Sequence, residues 1–272
     1  MKGNMELRRE KIVRALNDAL APLDYAKAFY EGGAVAFNRI DEWSDLDFYV
    51  VVDDDKVNDT FAIIEKALES ISRISQKCER QNPEWPDMSQ AFYRLEGTSE
   101  YLLIDLVVIK LSSPEKFLQP EIHGNVLFHF NKSNMVKALP FDKAHLVTKI
   151  QRGLERLRAR YSMFNKFVQK EINRGNKLEA IDLYHNLTLA MLVDVLRLKN
   201  NPFHWDFRMH YIHYELPQEV VKRLEHLYFV RDDVDLKSKY DEATQWLCEL
   251  LSEIREDDVR KIMGATETKS IP

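Results

Sequence analysis

The segment from Gly33 to Asp47, GAVAFNRIDEWSDLD, constrains this chain more than any other, and the apolar run FYVVV follows it directly. It combines a glycine turn, a polar loop and two aspartates one residue apart at the start of a β-prone run. Because residues i and i+2 of a strand point to the same face, Asp45 and Asp47 project their carboxylates side by side. Two such charges repel each other, and a bound cation relieves the repulsion. All-oxygen carboxylate sites suit Mg²⁺.

A third aspartate lies inside another predicted strand. Strands are predicted over Gln90–Leu95 and Tyr101–Ile109, where aromatic and aliphatic residues flank a turn at Gly97. The second strand contains Asp105 within the run LLIDLVVI. A carboxylate among aliphatic side chains is unfavourable, and such local conflicts concentrate at functional sites. We predict that all three aspartates converge as metal ligands, with Asp105 completing the metal site or accepting a proton.

The spacing of apolar residues predicts an α+β fold class with two domains. Domain 1–140 contains a mixed sheet with flanking helices, and domain 141–272 is an all-α helical bundle. In the first domain we predict helices over 5–20 and 62–74, a loop over 82–88, and further strands over Tyr25–Glu31, Leu46–Val52 and Val126–Phe130. In the second domain we predict helices over 145–173, 178–198, 217–229 and 234–256, and a disordered tail beyond Gly264.

Charge and composition disfavour several classes of protein. Residues 1–140 hold 17 Lys and Arg against 23 Asp and Glu, whereas the remainder is nearly balanced at 22 against 21. This acidic excess disfavours binding to nucleic-acid phosphates and is compatible with a metal or a cationic substrate. No signal peptide and no membrane-spanning run are predicted. Cys78 and Cys248 are too far apart for metal or redox spacing. We expect a cytoplasmic protein with no nucleic-acid or membrane partner.

The complete motif resembles the polymerase-β-like nucleotidyltransferase superfamily. Its aminoglycoside and lincosamide nucleotidyltransferases carry Gly-Ser, a loop of fixed length, then Ser-Asp-x-Asp or Ser-Asp-x-Glu. Here Gly33 and Ser44-Asp45-Leu46-Asp47 reproduce that spacing. The resemblance covers about residues 25–110 by motif, and the helical domain in layout only.

The resemblance implies a Mg²⁺-dependent adenylyltransferase. The enzyme would transfer AMP from ATP to a hydroxyl of a small molecule, such as an aminoglycoside- or lincosamide-like antibiotic, in a cleft between the domains. It also implies a homodimer as one assembly, because some relatives build the cleft from two subunits. Beside the three aspartates, the residues placed against the nucleotide would be Gly33, Ala34, Asn38, Arg39 and Ser44.

Two positions depart from the family pattern. Ala34 replaces the serine whose hydroxyl contacts the nucleotide phosphates, which removes a hydrogen bond of about 1.5–3 kcal/mol. Asn38 replaces a frequent glycine and can adopt a left-handed conformation at modest cost. Arg39 is near enough in sequence to compensate for the lost hydroxyl. Two alternatives therefore stay open: a non-catalytic or regulatory nucleotide-binding module, and an enzyme that AMPylates proteins.

The helical domain offers weaker candidates, each with a structural alternative. Lys149, Arg152 and Arg156 form a basic stripe that is either a solvated face or a contact to the triphosphate. Asp194 is expected to pair with Arg197 one turn away. The other candidates are a general base among Glu179, Asp182 and His185, an aromatic platform or core filling by Trp205, Phe207, Tyr211 and Tyr214, and a loose ribonuclease-like Arg208-x4-His213 pattern.

Overall fold

The computed structural model describes residues 2–80, 83 and 85–254, with side chains from Arg9 onward. The chain divides into two compact units, Met1–Phe141 and Asp142–Pro272, beside the Pro140 at which the sequence places the domain boundary. The first unit contains a mixed six-stranded sheet with helices, and the second is helical. The predicted α+β fold class is therefore confirmed. The predicted tail beyond Gly264 lies outside the described residues.

The first unit consists of short helices and strands around one sheet. Its helices are α1 (Lys2–Leu20), α2 (Gly33–Ala36), α3 (Val57–Ile71) and α4 (Pro120–His123). Its strands are β1 (Ala26–Glu31), β2 (Leu46–Val52), β3 (Ile74–Arg80), β4 (Met88–Leu95), β5 (Ile104–Lys110) and β6 (Leu127–Asn131). Short 3₁₀ turns occupy Asp54–Lys56 and Lys132–Asn134.

The strand order is β3-β4-β5-β2-β1-β6, and the pairing of β2 with β5 is parallel while the other neighbours are antiparallel. One sheet face packs against α1 and α3, whose apolar residues repeat at threes and fours, for example Ile12, Leu16, Ile64 and Leu68. The opposite face carries a smaller apolar cluster that includes Tyr30, which is fully buried. Asp47 and Asp105 lie on this second face and are partly buried.

Strand β3 is the main error of the sequence prediction in this unit. The predicted helix continued through Ile74, but α3 ends at Ile71 because Ser72 takes an extended conformation (φ −163°, ψ 153°). Ile74 instead begins an edge strand in which Gln76 and the following residues are exposed. A half-solvated edge strand carries no alternating apolar pattern, so periodicity could not identify it. The predicted loop 82–88 falls partly outside the described residues.

The second unit is built from helices and short turns. They are α5 (Lys143–Phe164), α6 (Phe167–Arg174), α7 (Lys177–Leu183), a π-helical segment (Tyr184–Leu189), α8 (Ala190–Asn200), a 3₁₀ turn (Pro202–His204), α9 (Ile212–Glu215), α10 (Gln218–Tyr228) and α11 (Asp233–Glu253). The helix predicted over 145–173 is therefore two helices. No helix among the residues that the structure describes combines the length and apolarity needed to cross a bilayer.

A buried ion pair fixes the aromatic connector between α8 and α10. Arg197 is fully buried and its guanidinium lies 2.8 Å from Glu215, while it also donates to the carbonyl oxygens of Arg208 and His210. His204 Nδ1 lies 2.8 Å from the same carboxylate of Glu215. The predicted Asp194–Arg197 pair is thus wrong, because the Arg197 side chain is directed to the connector.

We predict that Glu215→Gln destabilises the helical unit by about 3–5 kcal/mol, because it leaves the buried Arg197 charge uncompensated. Glu253→Gln is the matched control, since its partner Lys199 lies at a comparable 2.8 Å but both side chains are about half exposed. The control is expected to change stability by less than about 1 kcal/mol. Urea unfolding monitored by circular dichroism measures both. Equal effects would contradict the assignment of Arg197 as a structural anchor.

Candidate active site

Four residues on four neighbouring strands form a row across the sheet face that carries Asp47 and Asp105. Asp47 on β2 is the register partner of Asp105 on β5, Asp105 is the partner of Phe92 on β4, and Phe92 is the partner of Cys78 on β3. Register partners point to the same face of a sheet, and neighbouring strands lie about 4.8 Å apart. The structure therefore brings Asp47 and Asp105 side by side, although 57 residues separate them in the chain.

The glycine turn lies directly against the Asp47 carboxylate. Gly33 has φ +54°, and a Cβ added there would stand 1.7 Å from Asp47 Oδ2. The neighbouring Gly32 N–H donates to the Asp47 carbonyl oxygen at 2.9 Å. Glycine at position 33 is thus required twice, for the left-handed backbone and for the close approach of the turn to the carboxylate.

Asp45 lies immediately before the first residue of β2, and it is exposed. Its Oδ1 accepts a hydrogen bond from the Leu103 N–H at 3.3 Å, just before β5 begins. The Leu46 N–H in turn donates to the Leu103 carbonyl oxygen at 2.9 Å. Asp45 therefore connects the two loops that lead into β2 and β5.

Burial and mutual repulsion shift the titration of the central carboxyls. Burial first, and then the negative charges of Asp105, Asp45 and Glu31, raise the pKa of Asp47 to about 6. Burial also raises the pKa of Asp105, while a hydrogen bond from Gln90 opposes that rise. The site consequently holds an anionic pair that is poorly compensated by the described side chains, and such a pair favours a cation or a proton.

Several residues that contact the aspartates or their backbone were not predicted from the sequence. Gln90 Nε2 donates to Asp105 Oδ1 at 2.7 Å and orients that carboxylate. On the other side, Arg9 contacts the buried carboxylate of Glu31 and donates to the Asp45 carbonyl oxygen at 3.0 Å. Gln90 sits at an alternate position of β4 and could have been noticed as a polar residue there. Arg9 gave no local signal, because its contacts are 22 and 36 residues away.

The donor set suits Mg²⁺ only in part. Mg²⁺ is usually held by one or two carboxylates together with waters and substrate phosphates. Asp47 and Asp105 supply two such carboxylates. Among the described residues, however, no group of three or more His, Cys, Asp or Glu side chains is arranged so that it could hold a metal ion. The predicted ligand set of three aspartates therefore stays a prediction, and Asp45 Oδ1 accepts a hydrogen bond from the Leu103 N–H in this structure.

The residues predicted to contact the nucleotide lie along the loop from β1 to β2. Asn38 adopts φ +54°, so its predicted left-handed conformation is confirmed. Arg39 packs over the Phe37 ring at 5.0 Å, and its N–H donates to the Ala34 carbonyl oxygen. Ser44 Oγ accepts from the Asp41 N–H at 2.9 Å and donates to Asp41 Oδ1 at 2.8 Å, which makes it a residue that shapes the loop.

The candidates of the helical unit have structural contacts of their own. His185 Nε2 lies 3.0 Å from the Tyr228 carbonyl oxygen and its ring stacks on the Tyr228 ring. Asp182 accepts from Asn186 at 2.7 Å. Lys149 lies 3.5 Å from Asp206. The roles predicted for these residues in catalysis or phosphate binding stay predictions.

Comparison with known proteins gives only distant similarities. No family model matches the chain, and no curated protein matches it. Solved structures that it resembles include an aminoglycoside 6-adenyltransferase from Bacillus subtilis, at 14% identity and TM-score 0.31 over 94% of this chain and 96% of that one. A spectinomycin adenyltransferase from Enterococcus faecialis, with ATP and spectinomycin, gives 12% identity and TM-score 0.34 over 92% and 100%.

A STING-associated CdnE c-di-GMP synthase from Capnocytophaga granulosa gives 14% identity and TM-score 0.32 over 93% of this chain and 82% of that one. These three neighbours are polymerase-β-like nucleotidyltransferases, the superfamily that the segment 33–47 resembles. Similarities of this size carry no argument about activity, substrate or site residues. The proposals below on activity and site residues rest instead on the arrangement of Asp47, Asp105 and the Gly33 turn.

We predict that removing the Asp47 charge stabilises the chain at high pH. A carboxyl whose pKa is raised on folding contributes fully below its unfolded pKa near 4, and this contribution is lost as pH rises through about 6. Without divalent cations, Asp47→Asn should therefore gain about 2 kcal/mol over the wild type at pH 8 and little at pH 4. Urea unfolding at both pH values measures it, with Asp55→Asn at a 78% exposed side chain as control. A pH-independent difference would contradict the assignment.

We also predict that Gly33→Ala is far more damaging than Gly97→Ala. Both glycines have positive φ, at +54° and +66°, but an added Cβ at Gly97 meets nothing within 4 Å. Gly97→Ala should cost about 1–2 kcal/mol for the backbone alone. Gly33→Ala should cost more, because the Asp47 carboxylate must also move. Thermal denaturation of the two variants tests this, and equal losses would contradict the close packing of the turn.

Proposed function

We propose that this protein is a Mg²⁺-dependent nucleotidyltransferase that transfers AMP from ATP to a hydroxyl of a small molecule. The observation that carries the proposal is the Asp47–Asp105 pair, placed in register on parallel strands with the Gly33 turn packed against Asp47. Adjacent carboxylates beside a glycine turn meet the two needs of this chemistry, which are metal binding and close approach of a triphosphate. The sequence resemblance supports the same reading.

The order of groups across the sheet supports a different side for each proposed substrate. The triphosphate would lie at the turn around Gly33, next to Asp47, where backbone N–H groups can approach phosphate oxygens. The acceptor hydroxyl would lie at Asp105, on the side away from the turn. A Mg²⁺ ion held by Asp47 and Asp105 with phosphate oxygens would neutralise charge on the triphosphate.

The reaction forms one bond and breaks one. The acceptor oxygen bonds to the α-phosphorus of ATP, and the bond from that phosphorus to the α,β-bridging oxygen breaks. Pyrophosphate leaves with the bonding electrons. The hydroxyl proton would pass to a carboxylate oxygen of Asp105. Gln90 holds the other oxygen of that carboxylate at 2.7 Å.

A non-catalytic nucleotide-binding module is the second candidate, and Ala34 is the observation that favours it. Where relatives of the resembled family supply a serine hydroxyl, this chain has a methyl group. Loss of that hydrogen bond would weaken the grip on the triphosphate by about tenfold or more. The described side chains also form no metal site without help from the nucleotide. Nucleotide binding without turnover is the expected behaviour of such a module.

Pyrophosphate release from ATP distinguishes the two candidates. We expect release with Mg²⁺ and a hydroxyl acceptor, from a panel that includes aminoglycosides, lincosamides, neutral sugars, sugar phosphates and sugar acids. Asp105→Asn should lower the rate by at least about 100-fold, because the proton acceptor, which is also a proposed metal ligand, is lost. Ala34→Ser should tighten ATP binding. Labelled ATP added to a lysate tests the alternative in which a protein is the acceptor.

The control is Asp55→Asn, which removes an exposed carboxylate from the loop that follows β2. Its rate should equal that of the wild type. ATP binding by calorimetry with no turnover over the whole panel, and no labelled protein, would refute the transferase and support the binding module.

A further inference from the structure

We propose that the open cavity beside Asp105 is the acceptor subsite, and that it takes a hydroxyl compound bearing an anionic group, a phosphate or a carboxylate. The inference rests on the proposed transferase and names its acceptor class. It is carried by the cavity's position in the sheet, by its lining and by the charge of that lining. All of these features belong to the first unit.

The cavity continues the row of register partners past Asp105. Phe92 is the partner of Asp105 and Cys78 is the partner of Phe92, and both line a cavity of about 490 Å³ over β3 and β4. Leu103, whose N–H donates to Asp45, closes it toward the motif. Because the Gly33 turn lies on the opposite side of Asp47, this cavity is on the side left for the acceptor. Its volume is in the range of small-molecule sites.

The lining of the cavity is cationic and apolar. Arg94 lines it, and the Phe92 ring offers an apolar surface to a carbon skeleton. No Asp or Glu is among the lining residues that the structure describes. Arg94 donates to the Glu100 carbonyl oxygen. A guanidinium has five N–H donors, so this contact orients it and leaves donors that match a phosphate or carboxylate.

This lining disfavours the polycationic acceptor that the acidic composition of residues 1–140 alone would allow. An ammonium group placed in the cavity would meet the Arg94 charge, and no carboxylate is among the described lining residues to balance it. Asp47 and Asp105 themselves are not among the residues that line the cavity. The net negative charge of residues 1–140 therefore does not determine the charge of the proposed acceptor subsite.

Alkylation of Cys78 tests the subsite without any turnover. The thiol is exposed and lines the cavity, so an occupant should shield it from iodoacetamide, a neutral reagent that Arg94 does not attract. The full chain is titrated, without nucleotide and at constant ionic strength, with glucose 6-phosphate, glucuronate, glucose and glucosamine. Peptide mapping follows Cys78 and Cys248 separately. We expect glucose 6-phosphate or glucuronate to slow only Cys78, and glucose and glucosamine to have no effect.

Two variants separate charge from shape. Arg94→Gln should raise the half-protecting concentration of the anionic sugar about tenfold, whereas Arg94→Lys, which keeps the charge, should retain part of the protection. Protection by glucosamine equal to that by the anionic sugars, protection by neither, or unchanged protection in Arg94→Gln would overturn the proposal. Because no ATP is present, failure here is distinct from failure of the transferase, which is measured by pyrophosphate release.

Discussion

The parallel pairing of β2 with β5 is the constraint on which the site depends. It places Asp47 beside Asp105 in the same register, so two carboxylates share one partly buried position on the sheet. Burial first, and then the repulsion from Asp105 and other carboxylates, raises the pKa of Asp47 to about 6, so the charged form of Asp47 destabilises the folded chain unless a cation binds. The apolar packing of α1 and α3 on the other face holds these strands in place.

The same row explains how one sheet face can serve two substrates. The Gly33 turn approaches Asp47 so closely that no side chain fits between them, and this is the side at which we propose that the triphosphate binds. Past Asp105 the row continues through Phe92 to Cys78, where the cavity and Arg94 lie. The proposed nucleotide and acceptor positions therefore lie on opposite sides of the carboxylate pair.

The three aspartates predicted as metal ligands are held differently in the structure. Three aspartates were expected to hold Mg²⁺ together, but Asp45 accepts a hydrogen bond from Leu103 and the described side chains form no three-ligand group. A pair of carboxylates is nevertheless the usual protein share of a Mg²⁺ site completed by phosphates. Metal and nucleotide binding are then expected to be mutually dependent in this chain.

Sequence by itself determined the local features of this protein. The glycine turn, the positive φ of Asn38, the buried strand after Asp47 and the division near Pro140 follow from residue preferences and periodicity, which act over a few neighbours. Tertiary structure alone decided the rest. Gln90 on Asp105, Arg9 at Glu31, the edge strand β3 and the pairing of Arg197 with Glu215 join residues 10 or more positions apart. A pattern of neighbouring residues cannot predict such contacts, because they depend on the strand register and on the pairing of buried charges in the folded chain.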